Sequence, residues 1–134
     1  MRIEARVFLA SLMVGAVFIF NAACALAQNR IALKNGDSVE LSLVYWVIQC
    51  RSIMIGLPEV EVLEGPQQVT LAVKEEMVLP RRFNCVNKVP GGKVVMTAKG
   101  VTEALEGKLV YRLKYKTKDG DRQTSQSYLI SLFP

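Results

Sequence analysis

The clearest structural signal in this chain is the stretch LVYRLKYKTKDGDRQTSQSYLISLF, residues 109–133. In its first half every second residue is a large apolar or aromatic one, at Leu109, Tyr111, Leu113 and Tyr115. The second half repeats this period of two at Tyr128, Ile130 and Leu132. Such alternation is typical of strands with one buried face, and Asp119-Gly120 between the halves favours a tight type I′ turn. The stretch therefore predicts a long terminal β-hairpin that turns at Asp119-Gly120.

The residues before this hairpin predict further strands, over residues 30–34, 38–49, 59–64, 68–74 and 93–99. The first of these is expected to pair with the second. Residues 75–89 sustain no period and predict a tethered loop with a short strand, and Pro-Gly-Gly at 90–92 predicts a turn. Residues 102–107 predict one helical turn, which Thr102 caps and Gly107 ends. Seven or eight strands with regular turns favour an all-β fold, an antiparallel β-sandwich.

The first 27 residues have the features of a secretory signal peptide. Arg2 and Arg6 give a basic start, residues 7–20 form an apolar run, and Ala-Leu-Ala at 25–27 supplies the small side chains that a signal peptidase cuts behind. The run is shorter than the roughly 20 residues that a membrane-spanning helix needs. We therefore expect a signal peptide over residues 1–27, cleavage after Ala27, and a secreted or periplasmic protein with no transmembrane segment in its mature chain.

Cleavage there removes 27 of the 134 residues and leaves 107, which is the size of a single domain over residues 28–134. Such a chain can bury a modest core. The leader holds two of the 17 basic residues and one of the 12 acidic ones, so the mature net charge falls from +5 to +4. This mildly basic balance favours anionic partners, and solubility alone is the alternative interpretation.

Cysteine usage agrees with export. Cys24 leaves with the leader, and Cys50 and Cys85 remain as an even number in an oxidising compartment, which predicts one disulfide. A pair of free buried thiols is the alternative. A lipoprotein with its lipid on Cys24 is a further alternative, although Asn21 stands where the usual lipobox has an apolar side chain.

The last third of the chain is similar in pattern to small bacterial periplasmic immunoglobulin-like domains. In such domains a short helical turn, here residues 102–107, leads into a strand with a tyrosine near its start, here Tyr111, and then into a hairpin. The resemblance implies an immunoglobulin-like sandwich in which the helical turn links the two sheets and Tyr111 bonds back to the backbone. Leu113 stands where an antibody domain has a cysteine, so a Cys50–Cys85 bridge would be particular to this chain.

The absence of histidine excludes several chemistries. It removes histidine-based catalytic triads, histidine-ligated zinc and the commonest general base. Glu59 and Glu61 share a strand face at about 7 Å, a spacing within the range of a glycosidase carboxylate pair. A solvated outer strand face explains the two residues more simply. We therefore expect no enzyme activity, no cofactor and no metal site.

Basic residues are the candidates for a binding site. The first set lies on the terminal hairpin and is expected to form one exposed positive face: Arg112, Lys114, Lys116 and Arg122. The second set is Arg81 and Arg82. Nucleic-acid recognition would need aromatic side chains interleaved with these charges, whereas Tyr111 and Tyr115 fall on the opposite face. An ordinary solvated face is the alternative interpretation of the first set.

These observations favour a non-enzymatic binding module with an anionic partner, which is an acidic protein, an envelope glycan or a lipid head group, and not a specific nucleic acid. The alternative hypothesis is an inhibitor of a secreted hydrolase, which presents the loop from Pro80 to Asn87 rigidly because Cys85 pins it. A third hypothesis is a small enzyme that uses Glu59 or Glu61. A continuous positive patch, a protruding loop and a concave carboxylate site would distinguish the three.

Overall fold

The computed structural model describes residues 29–134, so the signal peptide predicted over residues 1–27 lies outside the described residues. The described chain is all-β, as predicted. It contains one 3-10 turn, Arg82–Asn84, and nine strands: β1 Arg30–Lys34, β2 Ser38–Val44, β3 Val47–Ile48, β4 Arg51–Ser52, β5 Glu59–Glu64, β6 Val69–Val78, β7 Val89–Ala98, β8 Leu105–Thr117 and β9 Gly120–Phe133.

The strands form two larger sheets and a small hairpin. One sheet has the order β1-β9-β8-β5, the other has the order β2-β7-β6, and β3 pairs only with β4. All pairs are antiparallel except β1 with β9, which is parallel. The expected pairing of residues 30–34 with the following strand is therefore wrong. Gly36, with φ of 87°, lies in the turn after β1, and the chain leaves this turn in the opposite sheet.

The core lies between the two larger sheets, an arrangement compatible with a β-sandwich. The predicted inward residues of the terminal hairpin are all buried, and they pack against Val44, Val94 and Met96 of the other sheet. Alternation with a period of two places these side chains on one face, and their burial is the main favourable contribution to folding. The hydrophobic pattern of residues 109–133 therefore predicted the core correctly.

Two tyrosines connect the sheets by hydrogen bonds. The Tyr111 and Ser42 hydroxyl oxygens are 2.9 Å apart, and the Tyr128 hydroxyl donates to the Leu41 carbonyl at 3.0 Å. The two rings stack with centroids 6.1 Å apart. The backbone bond that the resemblance implies for Tyr111 is therefore made by Tyr128 instead. Both hydroxyls are part-buried, so each needs such a partner.

The helical turn expected over residues 102–107 is wrong. β8 already begins at Leu105, and Leu105 and Gly107 pair with Leu132 and Ile130 of β9. Leu105 and Gly107 are odd-numbered, like the buried residues that follow them, so the strand period extends back to residue 105. The ladder hydrogen bonds with β9 outweigh the local preference of the sequence for a capped turn.

The turn expected at residues 90–92 is also wrong, because these residues lie inside β7 between β2 and β6. A Cβ on Gly91 would lie 2.4 Å from the Val44 carbonyl oxygen, and one on Gly92 would lie 2.5 Å from the Lys74 carbonyl oxygen. Glycine is therefore required by close backbone approach and not by a turn. β6 extends to Val78, where a loop was expected, because its last residues pair with this part of β7.

The terminal hairpin turns one residue earlier than predicted. Thr117 pairs with Gly120, so Lys118 and Asp119 form the tip, and in this turn only Gly120 has positive φ, at 110°. The turn is therefore not of type I′, which would put positive φ on Asp119 as well, and the ladder continues from Gly120 without a register shift. The predicted positive φ of Gly120 is confirmed. The Thr117 hydroxyl closes the turn by donating to the Gly120 carbonyl at 2.6 Å.

Candidate functional site

The outer face of the β1-β9-β8-β5 sheet holds three of the predicted binding residues. Arg112, Lys114 and Lys116 alternate with the buried residues of β8 and point away from the core. Their strand lies beside β5, whose register places Glu61 opposite Arg112 and Glu59 opposite Lys114. Arg112 Nη2 is 2.7 Å from Glu61 Oε2, and Lys114 Nζ is 3.2 Å from the same oxygen.

These contacts change the expected character of the face. On the other side of β8, Asp121 lies opposite Lys116. Three acidic residues, Glu59, Glu61 and Asp121, thus lie opposite the three basic ones, and among residues 29–134 Glu61 alone of them forms ion pairs, with Arg112 and Lys114. The Arg112 guanidinium, with a further contribution from Lys114, holds the pKa of Glu61 below its ordinary value of 4.5, so this carboxylate is ionised at neutral pH. The run of uncompensated positive charge that the strand pattern predicts is therefore absent here.

Arg122 does not belong to that face. It lies opposite Tyr115 in the β8–β9 register, and residues directly opposite one another point to the same side of a sheet. Arg122 is exposed because it lies near the tip, and its Nη1 donates to the Asp121 carbonyl at 3.2 Å. The expected continuation of the outer patch through Arg122 is therefore wrong, because the even-numbered residues of β9, which include Arg122, face the same side as the odd-numbered, buried residues of β8.

The predicted disulfide between Cys50 and Cys85 is confirmed, with Cα atoms 5.5 Å apart. It joins the β3–β4 hairpin to the 3-10 turn that contains Arg82. Gln49 and Cys50 form the tip of that hairpin, and both have positive φ, 51° and 61°. Each such non-glycine residue costs about 1–3 kcal/mol and persists only where its surroundings hold it. The disulfide holds this strained turn against the loop of the second arginine pair.

A groove opens between β2 and β9 and brings this second pair to aromatic side chains. Trp46 follows the end of β2, and its ring centroid lies 5.2 Å from that of Tyr115 at an angle of 57°. Arg82 lines the groove from the loop side, and Thr124 and Gln126 line it from β9. The groove has a volume of about 420 Å³, and its other lining residues are Ser42, Leu43, Tyr45, Val47 and Leu113. We call this site the β2–β9 groove.

The charges around the β2–β9 groove are uncompensated. Arg81 lines an adjoining hollow that shares Tyr45 with the groove, and Glu40 in that hollow pairs with Lys93. Within residues 29–134, Arg81, Arg82 and Arg122 form no ion pair. Positive charge beside an apolar and aromatic surface can bind a partner that carries both acidic and apolar side chains.

The phenol of Tyr115, which lines the groove, is in its neutral form. Burial raises the pKa of the Tyr115 phenol, and a hydrogen bond with the Thr124 side chain opposes that rise only in part. The Tyr115 hydroxyl group is therefore protonated at any physiological pH. Neutral hydroxyl and amide groups, here those of Tyr115, Thr124 and Gln126, orient a bound backbone without selecting for charge.

Glu61 does not have the property expected of a glycosidase acid. Glu59 and Glu61 both lie on the exposed outer face, and Glu61 is held by two cations. A glycosidase acid needs a raised pKa, whereas the pKa of Glu61 is lowered. The loop from Pro80 to Asn87 presents an exposed apolar side chain, because Val86, next to the disulfide, is 87% exposed.

The sequence missed the aromatic half of the groove. Trp46 was assigned to a long continuous strand, but β2 ends at Val44 and the chain turns away there into the β3–β4 hairpin. A signal was nevertheless present, since Trp46 is the only tryptophan in the chain and directly follows a tyrosine where the period of two fails. The two sets of basic residues were identified, but they do not share a surface. Arg112, Lys114 and Lys116 lie on the outer face of β8, whereas Arg82 lines the groove.

Comparison with protein-family models, curated proteins and solved structures finds no match for the chain. Within residues 29–134, no group of three or more His, Cys, Asp or Glu side chains is arranged to hold a metal ion. The same residues contain no helix that is long and apolar enough to cross a membrane.

Proposed function

We propose that the protein is an exported, non-enzymatic interaction module that binds an acidic protein through the β2–β9 groove. The observation that carries the proposal is the placement of Arg82 in a groove with Trp46 and Tyr115, with no acidic partner for Arg82 among the described residues. Tyrosine, tryptophan and arginine are the side chains that contribute most at protein interfaces. The outer face is the weaker candidate because it supplies its own counter-charges.

Export is part of the proposal. The leader pattern over residues 1–27 and the disulfide support it, because disulfides persist mainly in oxidising compartments. We also propose that the sandwich is immunoglobulin-like. With the β3–β4 hairpin set aside, seven strands remain, and their order supports this: β2-β7-β6 lie in one sheet and β5-β8-β9 in the other, as strands B, E, D and C, F, G of that fold do.

Intrinsic fluorescence tests the function directly, because Trp46 is the only tryptophan and lies in the proposed site. The exported protein is titrated with poly-L-glutamate, with heparin and with vesicles that contain phosphatidylglycerol. We expect poly-L-glutamate to change the Trp46 emission at the lowest concentration and the response to weaken as salt rises, because charge attraction is screened.

Two double charge reversals provide a matched comparison, since each changes the net charge by the same amount. Arg81→Glu with Arg82→Glu should abolish the response to poly-L-glutamate. Arg112→Glu with Lys114→Glu should leave it within about twofold, because these side chains already pair with Glu61. If the second pair abolishes binding and the first does not, the outer face is the site. Tighter binding of heparin or vesicles would transfer the function to a glycan or a lipid head group.

A second candidate function is inhibition of a secreted hydrolase, which the exposed Val86 favours. An apolar side chain on a loop pinned by a disulfide loses little freedom when it enters a partner's cleft. The test measures how the protein slows hydrolysis of peptidoglycan and of casein by an envelope extract. Inhibition that disappears in Val86→Asp but persists in Arg81→Glu with Arg82→Glu would support this function, and no inhibition of either activity would exclude it.

A further inference from the structure

The outer edge of β9 is only partly covered. β1 pairs with β9 from Leu129 to Phe133, and among residues 29–134 nothing pairs with that edge between Asp121 and Ser127. The Leu129 amide donates to the Asn29 carbonyl, so the odd-numbered residues of β9 direct their backbone groups to this edge. We call residues 121–127 the open edge of β9. Its length is about 23 Å at 3.3 Å per residue.

The open edge differs from the other edges of the sheets in its protection. Proteins normally guard exposed edges with charged side chains, proline or bulges. β2 carries Glu40 and a register shift beside it, β5 carries three glutamates and a second register shift, and β6 carries Lys74, Glu75 and Glu76. Residues 123–127 read QTSQS, with no charge, no proline and an unbroken register. The charged residues of the open edge, Asp121 and Arg122, lie at one end of it.

The open edge borders the β2–β9 groove. Thr124 and Gln126 line that groove, while the backbone groups of the residues between them point outward from the sheet. A strand added to the open edge would therefore place every second side chain over the groove, against Trp46 and Tyr115. Carboxylates among these groove-facing side chains would meet Arg82 and Arg122, which form no ion pair among the described residues.

We propose that the open edge of β9 binds an extended, acidic segment of the partner protein by strand addition, as a continuation of the sheet beyond β1. The proposal rests on the proposed function and deepens it, because it specifies the conformation of the partner segment. Main-chain hydrogen bonds supply affinity in this mode, and the groove selects alternate side chains. Over about seven positions, the segment is expected to have both apolar and acidic residues at the alternate positions that face the groove.

The first test uses a nine-residue peptide, blocked at both ends, with threonine at the odd positions and glutamate, valine, valine and glutamate at positions 2, 4, 6 and 8, and its fully N-methylated counterpart. Both carry the same charges and side chains, but the second has no amide donors. We expect the first to change Trp46 fluorescence and the second to bind at least tenfold more weakly, since every ladder bond that it would donate is lost. Equal binding of the two would overturn strand addition.

The second test changes the protein. Ser125 lies opposite Arg112 of β8, but its amide points to the open edge and does not donate to β8. Ser125→Pro therefore removes an edge donor and leaves the hydrogen bonds with β8 intact. It should weaken peptide binding at least tenfold, while the control Ser125→Ala should not. Binding that Arg81→Glu with Arg82→Glu abolishes but Ser125→Pro leaves unchanged would overturn strand addition and retain the proposed function. Binding that neither variant changes would overturn both.

Hydrogen exchange on the unaltered protein removes any dependence on how the variants fold. The amides of Gln123, Ser125 and Ser127 should exchange rapidly in the free protein and slowly after addition of the peptide. The amides of Thr124 and Gln126 face β8 and should be protected in both states. Edge amides that are protected before the peptide is added would overturn the proposal, and loss of that protection on dilution would identify a second copy of the chain as the occupant.

Discussion

The outer face of the β8 strand and the β2–β9 groove both contain arginine, yet only one of them satisfies its own charges. On the outer face, Glu61 lies within 3.2 Å of both Arg112 and Lys114. In the groove, Arg82 has an aromatic surface beside it and no carboxylate among the described residues. This difference shows that a run of like charges along one strand does not establish a positive surface until the charges of the neighbouring strand are known.

The neighbouring strand also determines what each region contributes. Exposed ion pairs such as those of Glu61 contribute little to stability and are screened by salt. They do, however, protect the β5 edge by placing charge along it. An unpaired arginine contributes nothing to folding, but it remains available to a partner. We therefore infer that the charges of the outer face protect the β5 edge and that the groove is the binding surface.

The largest expected effect comes from the disulfide, which holds the groove and not the outer face. Cys50→Ala with Cys85→Ala should cost about 2–5 kcal/mol of unfolding free energy, because the bond closes a loop with a sequence separation of 35 residues. Urea denaturation followed by Trp46 fluorescence measures this loss. The same variant should bind poly-L-glutamate more weakly, because the segments that carry Trp46 and Arg82 are no longer tied together.

Reduction of the unaltered protein provides the control for this variant and should reproduce both changes. A double variant with unchanged stability would contradict the structural role of the disulfide. Loss of stability with unchanged poly-L-glutamate binding would show that the groove does not depend on the bond, and would weaken the distinction between the two regions.

The next effect concerns Gly120, which is the residue with positive φ in the turn of the terminal hairpin. Gly120→Val should destabilise the domain by about 1–3 kcal/mol, since φ of 110° is strained for a β-branched residue. Gly120→Asn is the matched control and should lose less, because asparagine tolerates positive φ better. Thermal unfolding measures both. Equal losses for valine and asparagine would indicate that the backbone conformation is not the cause.

The same turn shows how far the sequence could predict the fold. The period of two in residues 109–133 predicted the hairpin and its buried side chains, because burial of one face is a local property of a strand. It could not predict that the turn lies one residue earlier and is not of type I′. This difference changes the residue opposite Arg122 from Thr117 to Tyr115, and both face the inner side of β8. The period of two was therefore sufficient to exclude Arg122 from the outer face, because Arg122 is even-numbered like the inward residues Tyr128 and Ile130.

Properties that depend on distant strands were beyond the sequence. Gly91 and Gly92 resemble a turn, and only the approach of the Val44 and Lys74 carbonyls shows why they lie in a strand. Likewise, Glu61 and Arg112 are 51 residues apart, and no local pattern pairs them. The disulfide was predictable because two cysteines in an exported chain leave a single pairing, whereas the groove required three separate segments to meet.

A smaller effect is expected from the outer face itself. Arg112→Gln with Lys114→Gln should lower the melting temperature at low salt by less than Gly120→Val does, because both partners of the ion pairs are at least partly exposed. At 1 M NaCl the difference from the unaltered protein should nearly vanish. A large loss of melting temperature that persists at high salt would show that these side chains contribute packing. The outer face would then do more than protect the β5 edge by charge.

The smallest effect is the pH dependence of the Glu61 ion pairs. Because Arg112 and Lys114 lower the pKa of Glu61 in the folded protein, the unfolded chain takes up the proton first as the pH falls. The stabilisation is therefore fully present above the ordinary carboxyl pKa of 4.5 and is lost as the pH falls through the lower folded value. The melting temperatures of the unaltered protein and of Glu61→Gln should differ at pH 7 in low salt and converge toward pH 2.5. Glu64→Gln, at a β5 position without an ion pair among residues 29–134, should show no such convergence. A constant difference between the unaltered protein and Glu61→Gln across this pH range would mean that Glu61 does not neutralise the outer face by charge, and Arg112 and Lys114 would again be candidates for binding an anionic partner.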